Sequence, residues 1–221
     1  MPTVVVTGAN RGLGLEFARQ YAADGWSVIA ACRDPDQAQE LAALAGDIRI
    51  ERLDVADWNA LEAFGETLHA ETLDLLICNA GIGGWGEAEP DPWLRALAVN
   101  CIAPTMLARA LVDRVERASG KIVAITSKMG SIADNMSGGS IVYRSSKAAL
   151  NAAWRSLAID WKDRDVAVAM LHPGWVQTDM GGRNALITAE ESVAGLRRVI
   201  ETLGRDTSGA FLDYRGEAIA W

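Results

Sequence analysis

Residues 4–17 read Val4-Val5-Val6-Thr7-Gly8-Ala9-Asn10-Arg11-Gly12-Leu13-Gly14-Leu15-Glu16-Phe17. Three β-branched residues predict a buried strand, the glycines predict a tight turn, and apolar residues at helical spacing predict a helix after it. Such a turn lets the backbone approach a phosphate, and the first N–H groups of the helix face the anion. We therefore expect a bound nucleotide, although a plain connection between a strand and a helix can contain the same glycines.

The spacing of the three glycines, Gly8-x-x-x-Gly12-x-Gly14, differs from the G-x-G-x-x-G fingerprint of dinucleotide-binding turns. Together with Thr7, this spacing resembles the cofactor turn of the short-chain dehydrogenase/reductase family. The resemblance implies that a nicotinamide dinucleotide binds here. It assigns cofactor contacts within the turn to Gly8, Asn10, Arg11, Gly12, Leu13 and Gly14.

The composition suits a single α/β domain over residues 1–221. The chain is 50% hydrophobic, and no Pro/Gly/Ser-rich linker divides it. The longest apolar runs are strand-sized and the N-terminus lacks signal-peptide features, so we expect no membrane span and a cytoplasmic protein. A formal net charge of −8 argues against a nucleic-acid surface. Cys32, Cys78 and Cys101 lack metal-ligand spacing, so we expect three buried thiols and no metal site.

Two arginines favour NADP(H) over NAD(H) as the cofactor. The apolar segment Trp26–Ala31 predicts a second strand, near whose end dinucleotide folds place an acid for the NAD ribose or an Arg for the NADP 2′-phosphate. Arg33 is that residue, and Arg11 adds a second cation of the kind found in NADP-preferring members of the family. We expect both to meet one phosphate, although each alone could be a solvated surface residue. Asp34 keeps NAD(H) as the less favoured alternative, because a shift of one residue reverses the assignment.

Two further strands end in candidate cofactor contacts. Ile48–Leu53 alternates apolar and charged residues, and Leu73–Cys78 is apolar enough to be a parallel strand buried on both faces. Asp54 is an ordinary helix cap for the segment near Asp57 or, as the resemblance implies, a contact of the adenine amino group. Asn79-Ala80-Gly81 resembles the second motif of the family. The resemblance assigns cofactor contacts to Asp54, Val55, Asn79, Ala80 and Gly81.

A long helix is predicted to begin at Asp91-Pro92, an N-cap followed by proline at the first helical position. Asn100 lies on this helix, and Pro104 is expected to bend or tighten it. A polar group satisfied within the core is the plainer interpretation of Asn100. The resemblance instead places Asn100 in the catalytic group.

Lys121–Thr126 predicts the fifth strand, which ends at Ser127. Tyr143 and Lys147 open another helix four residues apart, so both side chains project from one face and act on the same ligand. Tyr-x-x-x-Lys alone is common by chance, but a preceding serine at a strand end, the Asn-bearing helix and the glycine turn make chance improbable. The resemblance makes Asn100, Ser127, Tyr143 and Lys147 the catalytic residues.

These residue types suit the reduction of a carbonyl by hydride. The oxygen that gains charge needs a proton from a group whose pKa lies near the working pH, and free tyrosine at about 10 is too weak an acid. We expect Lys147, with the positive nicotinamide of the oxidised cofactor, to lower the pKa of Tyr143. Ser127 is expected to stabilise the developing charge. The resemblance also gives Lys147 the ribose hydroxyls and Asn100 a water that relays protons.

The pocket is expected to lie beside an extended loop. Tyr143 follows Ser127 by sixteen residues, more than is commonest in the family, so the loop Met129–Gly139 should shape the pocket. Ser131 is the fallback if this loop displaces Ser127. The lid segment Gly181–Thr188 is short, which predicts an open pocket. Candidate pocket walls, some of which core packing would also explain, are Trp85, Trp93, Met136, Trp175 and Met180.

Val166–Leu171 predicts a sixth strand, which leads into His172-Pro173-Gly174-Trp175-Val176-Gln177-Thr178. The Pro-Gly-x-x-x-Thr pattern resembles the family segment that meets the nicotinamide amide and, through its Thr, a cofactor phosphate; a simple turn is the alternative. His69 and His172 have no paired acid at useful spacing, so neither receives a catalytic role. The resemblance adds to the cofactor contacts Pro173, Gly174, Val176, Thr178, Tyr143 and Lys147.

A last helix, Thr188–Leu203, and a seventh strand, Gly209–Leu212, complete the pattern. The resemblance implies a single Rossmann-type α/β domain: a doubly wound, parallel, seven-stranded sheet in the order 3-2-1-4-5-6-7 with helices on both faces. It is greatest for the carbonyl-reductase and C-factor branch, which implies an NADPH-dependent carbonyl reductase acting on a small molecule. The alternative is a nucleotide-binding signalling or regulatory protein with little turnover. Family members often form dimers or tetramers through the two long helices, here 91–118 and 140–162.

Overall fold

Seven strands form one sheet in the order β3-β2-β1-β4-β5-β6-β7, as predicted. The structure is a computed structural model that describes residues 1–69, 71–86 and 88–221. Every neighbouring pair of strands is parallel, so the carboxyl ends of all strands lie at one edge of the sheet. The strands are β1 (Thr3–Thr7), β2 (Ser27–Cys32), β3 (Ile48–Arg52), β4 (Leu75–Cys78), β5 (Lys121–Ile125), β6 (Ala167–His172) and β7 (Ala210–Asp213).

Helices cover both faces of the sheet. Those on one face are α3, α5 and α6, which share an apolar cluster with it, and α1, α2 and α7 pack on the other. The α-helices are α1 (Gly12–Ala23), α2 (Gln39–Ala42), α3 (Trp58–Thr67), α4 (Pro90–Leu97), α5 (Ala103–Glu116), α6 (Ile141–Asp160) and α7 (Ala189–Thr202).

Burial on both faces explains the unbroken apolar runs in the strands. Val5 of β1 belongs to the cluster under α3, α5 and α6, whereas Val4 and Val6 belong to the opposite cluster. In the sheet, β2 lies on one side of β1 and β4 lies on the other, so the order of the strands reverses at β1. This reversal opens a crevice at the carboxyl edge, which is where open α/β sheets bind their ligands.

The segment after β2 forms a 3₁₀ turn, Pro35–Gln37, followed by the single turn α2, in which only Leu41 is buried. Two predicted helix caps were wrong. The N-cap of α4 is Glu89 and not Asp91, because Pro90 already occupies the first turn, where its missing N–H costs nothing. Asp57 and not Asp54 caps α3: its Oδ1 accepts the N–H groups of residues 59 and 60 at 3.0 and 3.2 Å.

The segments α4, Ala98–Ile102 and α5 form one helical run from Pro90 to Glu116. By length and composition this run could cross a membrane, with a mean hydropathy of 1.3 over its most apolar window. However, 56% of that window is buried inside the protein, as in a core helix packed on a sheet. Cys32 and Cys78 are buried as predicted, whereas Cys101, on this run, is only half-buried.

Candidate active site

The glycine turn joins β1 to α1 and leaves the start of the helix uncapped. Gly8 and Gly12 have left-handed backbone angles, φ +66° and +54°, which a side chain would strain. A Cβ on Gly14 would lie 2.1 Å from Gly8 O, so the turn closes this tightly only around glycine. Arg11 is the N-cap residue, but its side chain caps no N–H group. The turn therefore presents a free helix N-terminus, which suits a phosphate.

Thr7 and Asn79 hold the turn against β4. The Thr7 Oγ1 accepts the N–H groups of Asn79 and Ala80, both at 3.1 Å. The Asn79 Nδ2 donates to Thr7 O at 3.0 Å and to Gly8 O at 3.3 Å. The side-chain N–H group of Asn79 thus shapes the turn, so any contact with a cofactor has to use its Oδ1 or its backbone.

Arg11 and Arg33, which the sequence predicts to meet one phosphate, face different parts of the crevice. Arg33 follows β2, and a hydrogen bond from Ala9 N–H to Ala31 O at 3.1 Å sets the turn beside that strand. Arg11 forms an ion pair at 2.8 Å with Asp179, which lies in the loop after β6. Because β2 and β6 lie on opposite sides of β1 in the sheet, Arg11 is turned away from the β2 side. The two cations therefore lie apart in this structure, and their contact with one phosphate stays a prediction.

Asp34, the residue that favours NAD(H) as the alternative cofactor, lies near the guanidinium of Arg52. Arg52 Nη1 is 3.8 Å from Asp34 Oδ1, and the same guanidinium donates to Arg33 O at 3.2 Å. A carboxylate paired with arginine is less available to ribose hydroxyls. Asp54 is half-buried, and its Oδ1 accepts the N–H of residue 56 at 3.0 Å, while Val55 packs against the apolar cluster under α3.

The segment after β6 borders the glycine turn. Gly174 has φ +84°, and a Cβ on it would lie 2.7 Å from Ile187 Cδ1. Pro173 O accepts the hydroxyl of residue 192 on α7 at 2.6 Å, and Val176 forms a β-bridge with Ile187. A Cβ added to Gly12 would lie 3.4 Å from Thr178 Cγ2. The expected phosphate-binding Thr178 is thus next to the N-terminus of α1.

Ser127, Tyr143 and Lys147 lie together at the carboxyl end of β5. α6 places the phenol and the amine one turn apart, with Lys147 Nζ 5.9 Å from the centre of the Tyr143 ring. The same Nζ donates to Ile125 O of β5 at 2.9 Å, and Ser127 lies near enough to Tyr143 to influence the pKa of its phenol. The exposed fractions of Ser127, Tyr143 and Lys147 are only 8%, 7% and 5%. The fallback Ser131 is occupied elsewhere, since its Oγ accepts the N–H of residue 134 at 3.0 Å.

Asn100 lies in the π-helical turn Ala98–Ile102. The sequence predicts a bend or a tightening at Pro104, but the helix is widened in this turn. The reason is that proline has no N–H with which to close an ordinary turn onto Asn100 O. The Asn100 Nδ2 donates to Ile82 O at 2.9 Å and to Ser146 Oγ at 3.0 Å, and its Oδ1 accepts the Ile82 N–H at 2.8 Å. Asn100, 1% exposed, therefore ties the loop after β4 to α6.

Burial controls the pKa values of the phenol and the amine. It raises the pKa of Tyr143 to about 12, and the nearby Ser127 hydroxyl acts in the opposite direction. It lowers the pKa of Lys147 to about 8. The lowered Tyr143 pKa expected with an oxidised cofactor is therefore not a property of the protein by itself. Tyr143 is a neutral phenol near pH 7, the form that can donate a proton.

Two of the predicted wall residues contact α6. The Trp85 ring packs against the Tyr143 ring. Trp93 Nε1 donates to Ser145 Oγ at 2.7 Å, so Trp93 packs between α4 and α6. Trp85 is therefore a wall of the site, whereas Trp93 joins two helices.

The remaining wall candidates lie further out. Trp175 is half-exposed, and its Nε1 donates to Gly181 O at 2.8 Å within the loop after β6. Met136 is 92% exposed and Met180 is 42% exposed. Met136 therefore forms no wall in this structure, and the loop Met129–Gly139 contributes instead through its first residues, which form a 3₁₀ turn packed on α6.

A cleft of about 500 Å³ opens at the carboxyl ends of β5, β6 and β7. Burial lowers the pKa of His172 to about 4, although Asp213 acts in the opposite direction, so the imidazole is neutral near pH 7. The lining of this cleft includes Lys128, which directly follows Ser127, but none of the predicted catalytic residues, so the open substrate pocket stays a prediction. The residues that line the cleft include Lys128, His172, Gly174, Trp175, Ile187 and Asp213.

Sequence reasoning missed two residues of the site. Ser146 is completely buried, and its Oγ donates to Tyr143 O at 2.8 Å while accepting from Asn100. A serine beside Lys147 on a helix carries no signal, because the same residue suits a solvated face. Asp179 was also missed, although an acid one residue after the expected phosphate contact Thr178 is an unusual charge at such a place.

A family model for short chain dehydrogenases matches residues 2–186. Over 166 residues, the chain is 40% identical to the C-signal of Myxococcus xanthus, which covers 73% of this chain and 100% of that protein.

Two solved structures share the whole fold. An NADPH-bound carbonyl reductase from chicken fatty liver superposes with a TM-score of 0.92 and 35% identity, covering 100% of this chain and 99% of that one. A carbonyl reductase from Pseudomonas aeruginosa in complex with NADP superposes with a TM-score of 0.90 and 35% identity, covering 100% of both chains. Family, fold and general activity class are therefore shared with these proteins.

Proposed function

Because the chain belongs to the short-chain dehydrogenase/reductase family, we propose that it reduces a ketone or an aldehyde to an alcohol with NADPH. One observation carries this proposal: a buried hydroxyl, phenol and amine, from Ser127, Tyr143 and Lys147, meet at the carboxyl edge of the sheet beside an uncapped helix N-terminus. A protein that only senses a nucleotide would have no chemical reason to retain all three groups.

The residues present fit a dinucleotide. The free N-terminus of α1 suits its diphosphate, and Thr178 borders the same position. When bound, NADPH supplies the hydride. The Tyr143 phenol donates its proton to the oxygen that becomes the alcohol, and Ser127 Oγ hydrogen-bonds that oxygen as charge develops on it. Lys147, held by Ile125 O, would bind the ribose hydroxyls of the cofactor and supply positive charge beside the phenol.

Asn100 acts as a positioning residue in this scheme. Its side-chain N–H groups and oxygen are already engaged by Ile82 and Ser146, so they fix the loop after β4 and the N-terminal part of α6. The family resemblance gives Asn100 a water that relays protons. Because the side chain is engaged, this water has to bind the backbone carbonyl of Asn100. That carbonyl receives no hydrogen bond from Pro104, four residues later, because proline has no N–H.

NADP(H) is the proposed cofactor and NAD(H) the less favoured one. Arg33 forms no ion pair among the described residues, whereas Asp34 is opposed by Arg52. A free guanidinium at the end of β2 suits a 2′-phosphate. The carbonyl reductases that superpose on this chain contain NADPH or NADP.

The experiment that tests this function is a panel of carbonyl substrates assayed with NADPH and with NADH. We expect Tyr143→Phe to abolish NADPH oxidation while the cofactor still binds, because the fold keeps the ring and loses only the proton donor. Tyr21→Phe, remote from the site in α1, is the matched control and should retain activity. Equal turnover in wild type and Tyr143→Phe would remove the phenol from the mechanism.

A second candidate function is signalling, favoured by the 40% identity to the C-signal. A protein of that class would bind NADPH yet oxidise it with no member of the carbonyl panel. In that case Tyr143→Phe and wild type would be equally inactive, which separates the two functions in the same assay.

We further propose that residues 1–221 act as one cytoplasmic domain that pairs into a homodimer or homotetramer. The outer faces of α5 and α6 and the turn before α5 expose Ile102, Met106 and Ile159, with exposed fractions of 46%, 49% and 53%. Exposed apolar side chains on neighbouring helices suit a second copy of the chain. Sedimentation at micromolar concentration tests this, and Met106→Glu should weaken the pairing.

A further inference from the structure

The ion pair between Arg11 and Asp179 bridges the two walls of the cofactor crevice. Arg11 precedes the first residue of α1, and Asp179 lies in the loop after β6. The Arg11 Nη1 is 2.8 Å from Asp179 Oδ2, and the two side chains are 72% and 78% exposed. The pair therefore spans the outer opening of the site that the uncapped helix N-terminus and Thr178 form.

The loop that carries Asp179 is held in place against the turn. Thr178 O accepts the Gly182 N–H at 2.8 Å and Thr178 Oγ1 accepts the Gly181 N–H at 3.2 Å. On its other side, Thr178 lies against Gly12 of the turn. The Asp179 carboxylate thus stays at the edge of the crevice, while the long Arg11 side chain is free to reorient.

We propose that Asp179 is a specificity-determining residue: it holds Arg11 until the 2′-phosphate of NADPH replaces it, and so sets the affinity for phosphorylated cofactor. This inference rests on the proposed function, because it takes Arg11 as a ligand of that phosphate. In the free protein Arg11 is drawn to the β6 side, and it has to cross to the β2 side, where Arg33 lies, for both cations to meet one phosphate.

The exchange is feasible because the bond that breaks is weak. Water screens an ion pair between two exposed side chains, so the pair contributes little by itself. A phosphate dianion offers arginine a bidentate, charge-assisted contact, which is the stronger of the two. Asp179 therefore lowers the affinity for the 2′-phosphate without preventing its binding, and a cofactor that lacks this phosphate leaves the pair in place.

The test compares two nucleotide probes that differ by this one phosphate, 2′,5′-ADP and 5′-AMP, by calorimetry at low ionic strength. We expect Asp179→Asn to tighten the binding of 2′,5′-ADP by about two- to five-fold, the range of an exposed ion pair, and to leave 5′-AMP binding nearly unchanged. Asp163→Asn removes an exposed carboxylate elsewhere and controls for the change in net charge.

A double-mutant cycle assigns the effect to the pair. In an Arg11→Met background, 2′,5′-ADP should bind more weakly and Asp179→Asn should give no further gain. An equal gain for both probes would indicate simple repulsion of the 5′-phosphate that they share and overturn the inference, as would no gain for either. If wild type binds 2′,5′-ADP and NADPH but Asp179→Asn changes neither, only this inference fails. If wild type binds neither, the proposed function fails with it.

Discussion

The Trp85 indole packs against the Tyr143 phenol, with the ring centroids 4.8 Å apart and the ring planes at 41°. Trp85 is itself 55% exposed, whereas Tyr143, one side of which it covers, is only 7% exposed. A Cβ on Gly83 would lie 2.4 Å from Trp85 Nε1, so the indole rests directly on the glycine-rich loop after β4. One face of the indole thus shields the phenol, and the other is open to a ligand.

Trp85→Ala should lower kcat/KM for flat aromatic carbonyls by about 2- to 10-fold, the range expected for one lost aromatic contact, and affect small aliphatic carbonyls less. Trp85→Phe should retain most of the selectivity, because it keeps a ring over Tyr143. Steady-state kinetics on matched aromatic and aliphatic substrates measures this. Trp58→Ala, a partly exposed tryptophan on α3, is the control. An equal loss for both substrate types would mean that Trp85 supports only the fold.

Lys147→Met should stabilise the free protein at pH 7 by about 1–3 kcal/mol while abolishing activity, because a buried ammonium with a lowered pKa opposes folding. The folded-state pKa is about 8 and the ordinary value is 10.5. Between these values the unfolded chain binds more protons, so the contribution of Lys147 to the free energy of unfolding rises with pH and is lowest below pH 8.

Urea unfolding at pH 7, 8, 9 and 10 tests this. The wild type should gain stability from Lys147 across that window, and Lys147→Met should lack the gain. Lys162→Met, at an exposed position beyond α6, is the control and should follow wild type. Identical pH profiles for wild type and Lys147→Met would show that burial of the amine carries no such cost.

Gly14→Ala should weaken NADPH binding at least about 10-fold, because the backbone has to shift to admit a Cβ only 2.1 Å from Gly8 O, a strain of about 1–3 kcal/mol or more. The shift also displaces the Asn79 Nδ2, 2.7 Å from the same position. Fluorescence titration with NADPH measures the loss. Gly204→Ala has nothing within 4 Å of its added Cβ and should bind as wild type does; unchanged affinity in Gly14→Ala would contradict the tight turn.

Asn100→Ala should reduce the free energy of unfolding by about 2–4 kcal/mol, because it leaves the partly buried N–H and C=O of Ile82 without their Asn100 partners. Ser146→Ala removes one of the three Asn100 hydrogen bonds and the bond from Ser146 Oγ to Tyr143 O, but it leaves both Ile82 groups paired and should cost less. Because Asn100 positions the loop and α6, kcat should fall in the same order in the two variants. Urea unfolding and steady-state kinetics on both variants decide this; equal effects on stability would contradict the proposed network.

The sequence was sufficient for features that depend on local pattern. Val4–Val6 followed by glycines at 8, 12 and 14 predicted the first strand, the turn and α1, because β-branched runs and glycine positions act over a few residues. The Tyr143 and Lys147 spacing likewise predicted their shared helical face. The strand order came from the family resemblance, since no local rule determines which strands become neighbours.

Only the tertiary structure decided how distant segments meet. Arg11 pairs with Asp179 across 168 positions of the chain, and Trp85 covers Tyr143, because the crossovers bring the carboxyl ends of separate strands to one edge. The raised pKa of Tyr143 has the same origin, since burial by remote segments outweighs the opposite effect of Ser127. Local pattern therefore determined which groups the chain carries, and packing determined their environment and partners.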